Sequence, residues 1–250
     1  MGWDWTTVII CAILIGLFLL KIPRLFLKPS VAIKGKTLIV IAHPDDESMF
    51  FGPTIIRLKS QVKHLLILSL SRGDFDGNGD IRTLELATAA QVFGIDDVCI
   101  IDDARLLDGS SWDESVIREM VEPIVEKERV QNVITFDDYG VSGHSNHRSV
   151  HRALKSLPGT VQVYYLESVS IFRKYLAAID VLITILLHSF SSKNRLIELA
   201  SVVETTTIMT ALQKHSSQMV WFRKLYMMFS RYMIVNTLLP RPTSSKSSHP

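Results

Sequence analysis

The sequence predicts an α/β fold: a Rossmann-like, mostly parallel sheet with helices on both faces, preceded by one N-terminal transmembrane helix. Three observations carry this. From residue 37 onward, short continuously apolar runs alternate with amphipathic stretches, the pattern of strands buried on both faces and joined by crossover helices. Polar clusters follow directly on those runs, where open parallel sheets bind ligands. Residues 6–20 carry no charge, in a chain whose mean hydropathy is +0.23 despite a charged fraction of 21%.

The chain has 250 residues, with 27 Lys and Arg against 25 Asp and Glu, a net charge of +2. That length holds one domain, or one domain with an appendage, and the composition excludes an intrinsically disordered chain. So balanced a charge gives no reason to expect a nucleic-acid partner. Two cysteines, Cys11 and Cys99, exclude a disulfide scaffold and a four-cysteine zinc module.

Taken in order, Trp3, Trp5 and Ile22 extend the uncharged run to the ~20 residues that a span requires. A stretch at the short end suits a thin bilayer such as that of the endoplasmic reticulum. Asp4 precedes it, while Lys21, Arg24 and Lys28 follow, which puts the body on the cytoplasmic side. Positive charges after the apolar core, rather than before it, oppose a cleaved signal peptide. The expected organisation is an anchor over 1–22, a basic linker over 23–36, a domain over 37–240 and a disordered tail over 241–250.

Within the domain, 37–42 (TLIVIA) reads as a buried strand and 48–60 as a helix. Residues 64–71 read as the second strand, 81–93 as a helix and 98–101 as the third strand, with Cys99 an inert core thiol. Residues 114–127 place Val116, Ile117, Met120, Val121 and Ile124 at helical spacing. Then come a strand over 132–136, a helix over 147–156 and a strand over 161–166. Residues 195–203 read as an edge strand and 204–214 as a helix. The apolar stretch 175–190 contains Asp180 and is short for a span, so a monotopic or buried helix fits it better. Segment 221–240 interleaves aromatic and basic residues; 221–233 can meet a membrane interface or pack its aromatics inward. Arg173 and Lys174 read as surface charges, with phosphate contact as the alternative, and His215 receives no role.

Two clusters carry chemistry. AHPDDE, residues 42–47, puts one histidine and three carboxylates directly after a buried strand, an expensive placement without a partner. GHSNHRSVH, residues 143–151, also follows a strand. A first-row metal held by imidazole and carboxylate with an open position suits catalysis. The metal lowers the pKa of a water to about 7, and a neighbouring carboxylate can serve as base. A third segment, DFDGNGDIRTLE over 74–85, fits the calcium-loop pattern of an EF-hand. It reads either as a calcium site or as a turn-rich connection leading into a helix. An EF-hand needs an incoming helix, and the preceding element reads as a strand.

IAHPDDESMFF, VSGHSNH, SVSIFRKY and WFRKLYMMFSRYM together resemble the LmbE-like zinc de-N-acetylases, over about residues 37–240. The last two motifs resemble the eukaryotic membrane-bound branch, which deacetylates a glycolipid in glycosylphosphatidylinositol anchor synthesis. The resemblance implies a zinc ion held by His43, Asp46 and His147, Asp45 as general base and His144 as the second catalytic residue. It places substrate contacts on Arg82, with Glu85 beside it, and on Asp74. It implies a glycolipid substrate and the endoplasmic reticulum membrane. Bacterial relatives commonly have Asp where this chain has Asn146, so the partner of the catalytic histidine differs here; Asp137 and Asp138 are the nearby alternatives. A membrane-anchored non-catalytic adaptor has no reason to keep both clusters. A nucleotide-dependent enzyme lacks its glycine-rich loop here. Another N-acetylated sugar conjugate would use the same chemistry.

Overall fold

A computed structural model describes residues 33–62, 64–95, 97–189 and 194–242. The predicted anchor over 1–22 and nearly all of the tail lie outside the described residues. Among the described residues, no helix is long and apolar enough to cross a membrane.

The chain forms β1 (Thr37–Ile41), α1 (Asp46–Phe50), α2 (Gly52–Lys59), β2 (Leu65–Ser69), α3 (Gly79–Phe93) and β3 (Val98–Ile100). It continues through α4 (Glu114–Lys127), β4 (Asn132–Phe136), the short turn α5 (Gly140–Gly143), α6 (Ser145–Leu154) and β5 (Gln162–Leu166). The remainder is α7 (Ile171–Lys174), α8 (Ala178–Ser189), β6 (Leu196–Leu199), α9 (Val202–Lys214), α10 (Trp221–Phe229) and β7 (Val235–Pro240). The seven strands make one sheet in the order β3-β2-β1-β4-β5-β7-β6. β1 to β5 pair in parallel, and β7 runs antiparallel between β5 and β6. The α/β class and the mostly parallel sheet are those that the alternation implies.

Continuous apolar strands fill both faces. Ile39, Val40 and Ile41 of β1, and Val133, Ile134 and Phe136 of β4, are fully buried. Strand order reverses between β1 and β4: β2 and β3 lie beyond β1 on one side, and β5 beyond β4 on the other. A crevice opens at such a switch point, outside the carboxyl ends of the two strands. Both polar clusters emerge there, one after β1 and one after β4.

Three expectations change, and one segment to which the pattern gives no element resolves. The helix over 48–60 is two helices, because Pro53 opens α2 and Phe51 departs from helical geometry ahead of it. Segment 221–240 is helix followed by strand; its second half inserts into the sheet as β7. Cys99 is exposed, since β3 is a three-residue strand at the sheet edge. Lys174 is buried, and Arg173 pairs with the buried Asp180 at 2.6 Å. Asp180 also pairs at 2.6 Å with Arg231, so one guanidinium group ties α8 to α7 and another ties it to the segment before β7. β6 lies at the sheet edge, as expected.

Candidate active site

The loop from β1 into α1 is a strained turn. Asp45 has φ 111, a conformation costly for a residue with a side chain and held only where neighbours over-determine it. The Glu47 carboxylate accepts the Asp45 amide at 3.0 Å. Arg82 donates to the Pro44 carbonyl at 2.6 Å and to the Gly73 carbonyl at 2.8 Å. Behind the turn, His215 Nε2 meets Glu47 Oε1 at 2.7 Å, with both side chains fully buried. Burial alone would raise the Glu47 pKa, but His215 and hydrogen bonds from Ser48 and the Asp45 amide bring it below normal.

The facing loop, from β4 into α6, is equally shaped by backbone. Gly140 and Val141 take φ 65 and 66, and Val141 is β-branched, so its position is strained. Asp137 holds the turn by accepting from the Gly140 amide at 2.9 Å and from Ser168, which receives the Val141 amide at 2.7 Å. Asp137 is thus a brace for the loop.

The two loops bring His43, Asp46 and His147 together. Asp46 Oδ1 lies 3.3 Å from His147 Nε2, and Oδ2 lies 3.6 Å from His43 Nδ1. Two donors each ~2.1 Å from one ion at a tetrahedral angle stand about 3.4 Å apart. His147 Nδ1 faces the Gly140 carbonyl at 3.0 Å, which fixes the proton on Nδ1 and presents Nε2 as a lone pair. That Nε2 is buried and has no hydrogen-bond partner. An orphaned imidazole nitrogen facing a carboxylate is a metal donor set, so these residues fit a divalent ion.

His144 is also close: ligand atoms of His43, His144 and His147 all lie within 4.8 Å of one another. The Asn146 amide donates to His144 Nδ1 at 3.3 Å, which leaves Nε2 as its protonated nitrogen. The pKa of His144 is lowered by burial and by the two neighbouring histidines. Asn146 turns its side chain toward His43. With its amide oxygen 3.2 Å from His43 Nε2 and 3.2 Å from Trp112 Nε1, its nitrogen reaches the Ser110 carbonyl at 2.6 Å. His43 then keeps Nδ1 free toward Asp46.

Asp45 lies in the same crevice. Its Oδ2 accepts from Arg223 of α10 at 2.8 Å and lies 3.6 Å from Arg82. Burial raises its pKa; Arg223 opposes that, Asp46 adds to it, and the carboxyl stays above the usual range. Asp46, also pushed up by burial, is brought well below the usual range by His147 and His43.

A cavity of ≈ 540 Å³ joins these groups, lined by His43, Asp45, Asp46, Arg82, His144, His147, Lys174 and Arg223 among others. Asp74 and Glu85 do not line it. Asp74 is exposed and accepts the Gly79 amide at 2.6 Å. Glu85 accepts from Ser216 Oγ at 2.8 Å and Ser217 Oγ at 2.7 Å, bracing the loop that carries His215. With β2 entering and Glu85 so engaged, segment 74–85 has neither the incoming helix nor the free twelfth ligand of an EF-hand.

Sequence reasoning missed Asp108, Trp112, Lys174, His215 and Arg223. Asp108 Oδ1 lies 3.4 Å from His43 Nε2, and the Trp112 ring packs 5.6 Å from that imidazole. Asp108 and Trp112 stand among ordinary residues, so spacing gives no signal, while Lys174 and Arg223 lie in the SVSIFRKY and WFRKLYMMFSRYM motifs but share their charge with a neighbour, so the sequence does not say which of the two turns inward.

The matching family model is described as PIG-L, GlcNAc-PI de-N-acetylase, and covers residues 38–157. The chain is 38% identical over 247 residues to the "Probable N-acetylglucosaminyl-phosphatidylinositol de-N-acetylase" of Schizosaccharomyces pombe, covering 95% of this chain and 98% of that one. It is 38% identical over 214 residues to the N-acetylglucosaminyl-phosphatidylinositol de-N-acetylase of Bos taurus, covering 82% and 83%. The fold is similar to that of N,N'-diacetylchitobiose deacetylase from Pyrococcus horikoshii, with a TM-score of 0.58 at 15% identity, covering 83% and 84%. With 38% identity over 95% of its length, and both clusters converging on one crevice, the chain belongs to the GlcNAc-PI de-N-acetylase family and is a de-N-acetylase.

Proposed function

We propose that this enzyme removes the acetyl group from N-acetylglucosaminylphosphatidylinositol, giving acetate and glucosaminylphosphatidylinositol, the second step in building glycosylphosphatidylinositol anchors. The observation that carries the chemistry is the buried, partnerless His147 Nε2 facing Asp46, with Asp45 in the same cavity. The extent of identity to relatives named for that glycolipid supports the substrate.

His43, Asp46 and His147 would hold a divalent metal, zinc by the donor set. Bound there, it supplies a Lewis acid and brings the pKa of a water to about 7. Asp45 takes the proton of the attacking water: its raised pKa suits a base working near neutrality, and Arg223 fixes its orientation. His144 donates Nε2–H to the amide oxygen as negative charge builds there, an effect worth about 3–4 kcal/mol per donor. The amine departs with the proton that Asp45 took from the water, while His144 keeps its Nε2–H on the oxygen that bears the charge. Arg82 shapes the cavity wall by pinning Pro44.

The exposed apolar surface of α7, α8 and α10 supports a membrane location. Ile171 and Phe172 of α7, Leu186 of α8 and Trp221, Phe222 and Met228 of α10 are all more than half exposed. Ala177 donates its amide to the Phe229 carbonyl at 3.0 Å, which ties the start of α8 to α10. Apolar exposure of this kind, beside the exposed Lys224, fits a bilayer interface. Together with the uncharged run 6–20 and the charges after it, this supports the cytoplasmic face of the endoplasmic reticulum membrane.

The test is acetate release by microsomes carrying this chain, supplied with N-acetylglucosaminylphosphatidylinositol. Release abolished by a chelator and restored by zinc is expected. Activity only on soluble N-acetyl sugars would defeat the glycolipid assignment.

A further inference from the structure

Three cationic side chains line the reaction cavity: Arg82, Lys174 and Arg223. Two are engaged. Arg82 serves the Pro44 and Gly73 carbonyls, and Arg223 serves Asp45 and the Met49 sulfur. Lys174 differs. It is 9% exposed, and its ammonium has no hydrogen bond or ion pair among the described residues. Its nearest company is aromatic: Nζ stands 6.0 Å from the centre of the Phe50 ring and 5.8 Å from that of Tyr175. Such contacts, at the outer limit of cation–π attraction, offset only part of the cost of burying an ammonium. Burial disfavours its charge and lowers its pKa, with no anion to oppose the effect. An anion belongs beside it.

The position says which anion. Lys174 lines both the reaction cavity and a second cavity of ≈ 560 Å³, so it stands where the two adjoin. The second cavity carries Asp137, engaged by the Gly140 amide and by Ser168, and the exposed Asp138, which no ion pair joins to Lys174 among the described residues. The Phe50 ring that faces Lys174 also lies 5.8 Å from the His147 ring, which puts Nζ within about 12 Å of that histidine. In the substrate proposed above, one sugar ring and one inositol ring separate the acetamide from the phosphodiester. At bond lengths near ~1.5 Å that span is roughly 7–12 Å. The strongly exposed Ile171 and Phe172 adjoin Lys174 on α7, and Ile171 also lines the second cavity.

We propose that Lys174 is the receptor for the phosphodiester of the lipid headgroup, and so selects a phosphoinositide conjugate over a phosphate-free one. This rests on the glycolipid reading of the same site. The ammonium gains the counter-charge that the free protein withholds, and the acetamide is set against His144 and Asp45 at the other end of the headgroup.

The experiment measures the full-length chain in mixed detergent–phosphatidylcholine micelles. It compares kcat/KM for N-acetylglucosaminylphosphatidylinositol with kcat/KM for N-acetylglucosaminyl-inositol, which lacks the phosphate. In Lys174→Met the ratio of the two is expected to fall by about tenfold or more, through KM for the lipid, a change of about 1.4 kcal/mol per decade. Lys174→Arg restores most of it. Glycerophosphoinositol, the headgroup without acyl chains, inhibits the wild type more strongly than the methionine variant. A ratio within about twofold of wild type in Lys174→Met overturns the proposal, whether or not both rates fall together. Inhibition by inorganic phosphate as strong as by glycerophosphoinositol overturns the headgroup assignment in favour of a free-phosphate site. A wild-type enzyme that cleaves the inositol conjugate and ignores the lipid removes the functional reading, and the inference with it; the wild type alone reveals that result.

Discussion

His215→Ala removes the imidazole from a pair that is wholly buried on both sides. What remains is the Glu47 carboxylate, also fully buried, with only the Ser48 hydroxyl at 2.5 Å and the Asp45 amide at 3.0 Å to satisfy it. Breaking a buried pair by deleting one partner costs about 3–5 kcal/mol. The two surviving hydrogen bonds favour the lower end, about 3 kcal/mol. For a domain of this size that is a fall in Tm of about 6–12 °C. The sign with pH follows from the two groups. Burial alone would lower the His215 pKa, but Glu47, aided by Asp45 and Glu85, leaves it above its usual 6.5. Its contribution is complete below about pH 6.5 and fades as pH rises through the raised value. The Glu47 pKa lies below its usual 4.5, so its contribution holds above that and is lost as pH falls. Thermal unfolding of the full-length chain in detergent, followed by tryptophan fluorescence, should therefore show the largest gap between wild type and variant near about pH 5–6.5, with a smaller gap near about pH 9. A gap under about 2 °C, or one that widens toward alkaline pH, refutes the reasoning. Because Glu47 also holds the Asp45 amide, the variant should lose activity at temperatures where it remains folded.

Gly140→Ala would set a methyl group 2.6 Å from the Cβ of His147, at a backbone φ of 65. The histidine must move, and zinc affinity should drop about 10–100-fold in a competitive titration; unchanged affinity would show that the turn does not place His147. Asp180→Asn leaves Arg231 buried without its counter-charge, and denaturant unfolding should record a loss of about 3–5 kcal/mol. Replacing Asp180 and Arg231 together by apolar residues should recover part of that loss, and no recovery would count against an electrostatic origin. His144→Ala should lower kcat about 10²–10⁴-fold with zinc retained; loss of zinc instead would make it a ligand.

Much of the fold and of the site is legible in the sequence, for physical reasons that differ by element. The 114–127 helix and the 132–136 strand are legible to the residue because their patterns are strongly periodic and well bounded. The HPDDE and HSNH clusters are legible because charge after a buried strand needs a reason. What cannot be read there depends on contacts distant in sequence. β7 hides inside an apolar stretch that changes from helical to extended midway, and only its pairing with β5 and β6 defines it. His215 is 168 residues from Glu47, and nothing beside it in the chain marks it. Lys174 has the sequence appearance of a surface charge because its neighbour Arg173 is charged too, yet the first points into the cavity wall and the second toward Asp180. Asp74 and Glu85 sit in a motif that resembles a ligand loop, but their carboxylates are spent on capping Gly79 and on Ser216 and Ser217.

The central claim is that His43, Asp46 and His147 hold the metal while Asp45, one residue away, acts as base without being needed to hold it. Zinc content and kcat measured together on Asp45→Asn and Asp46→Asn test it directly. The structure predicts stoichiometric zinc in Asp45→Asn with kcat reduced about 10²–10⁴-fold, and loss of both in Asp46→Asn. Full turnover in Asp45→Asn, or a loss of zinc there equal to that in Asp46→Asn, contradicts it.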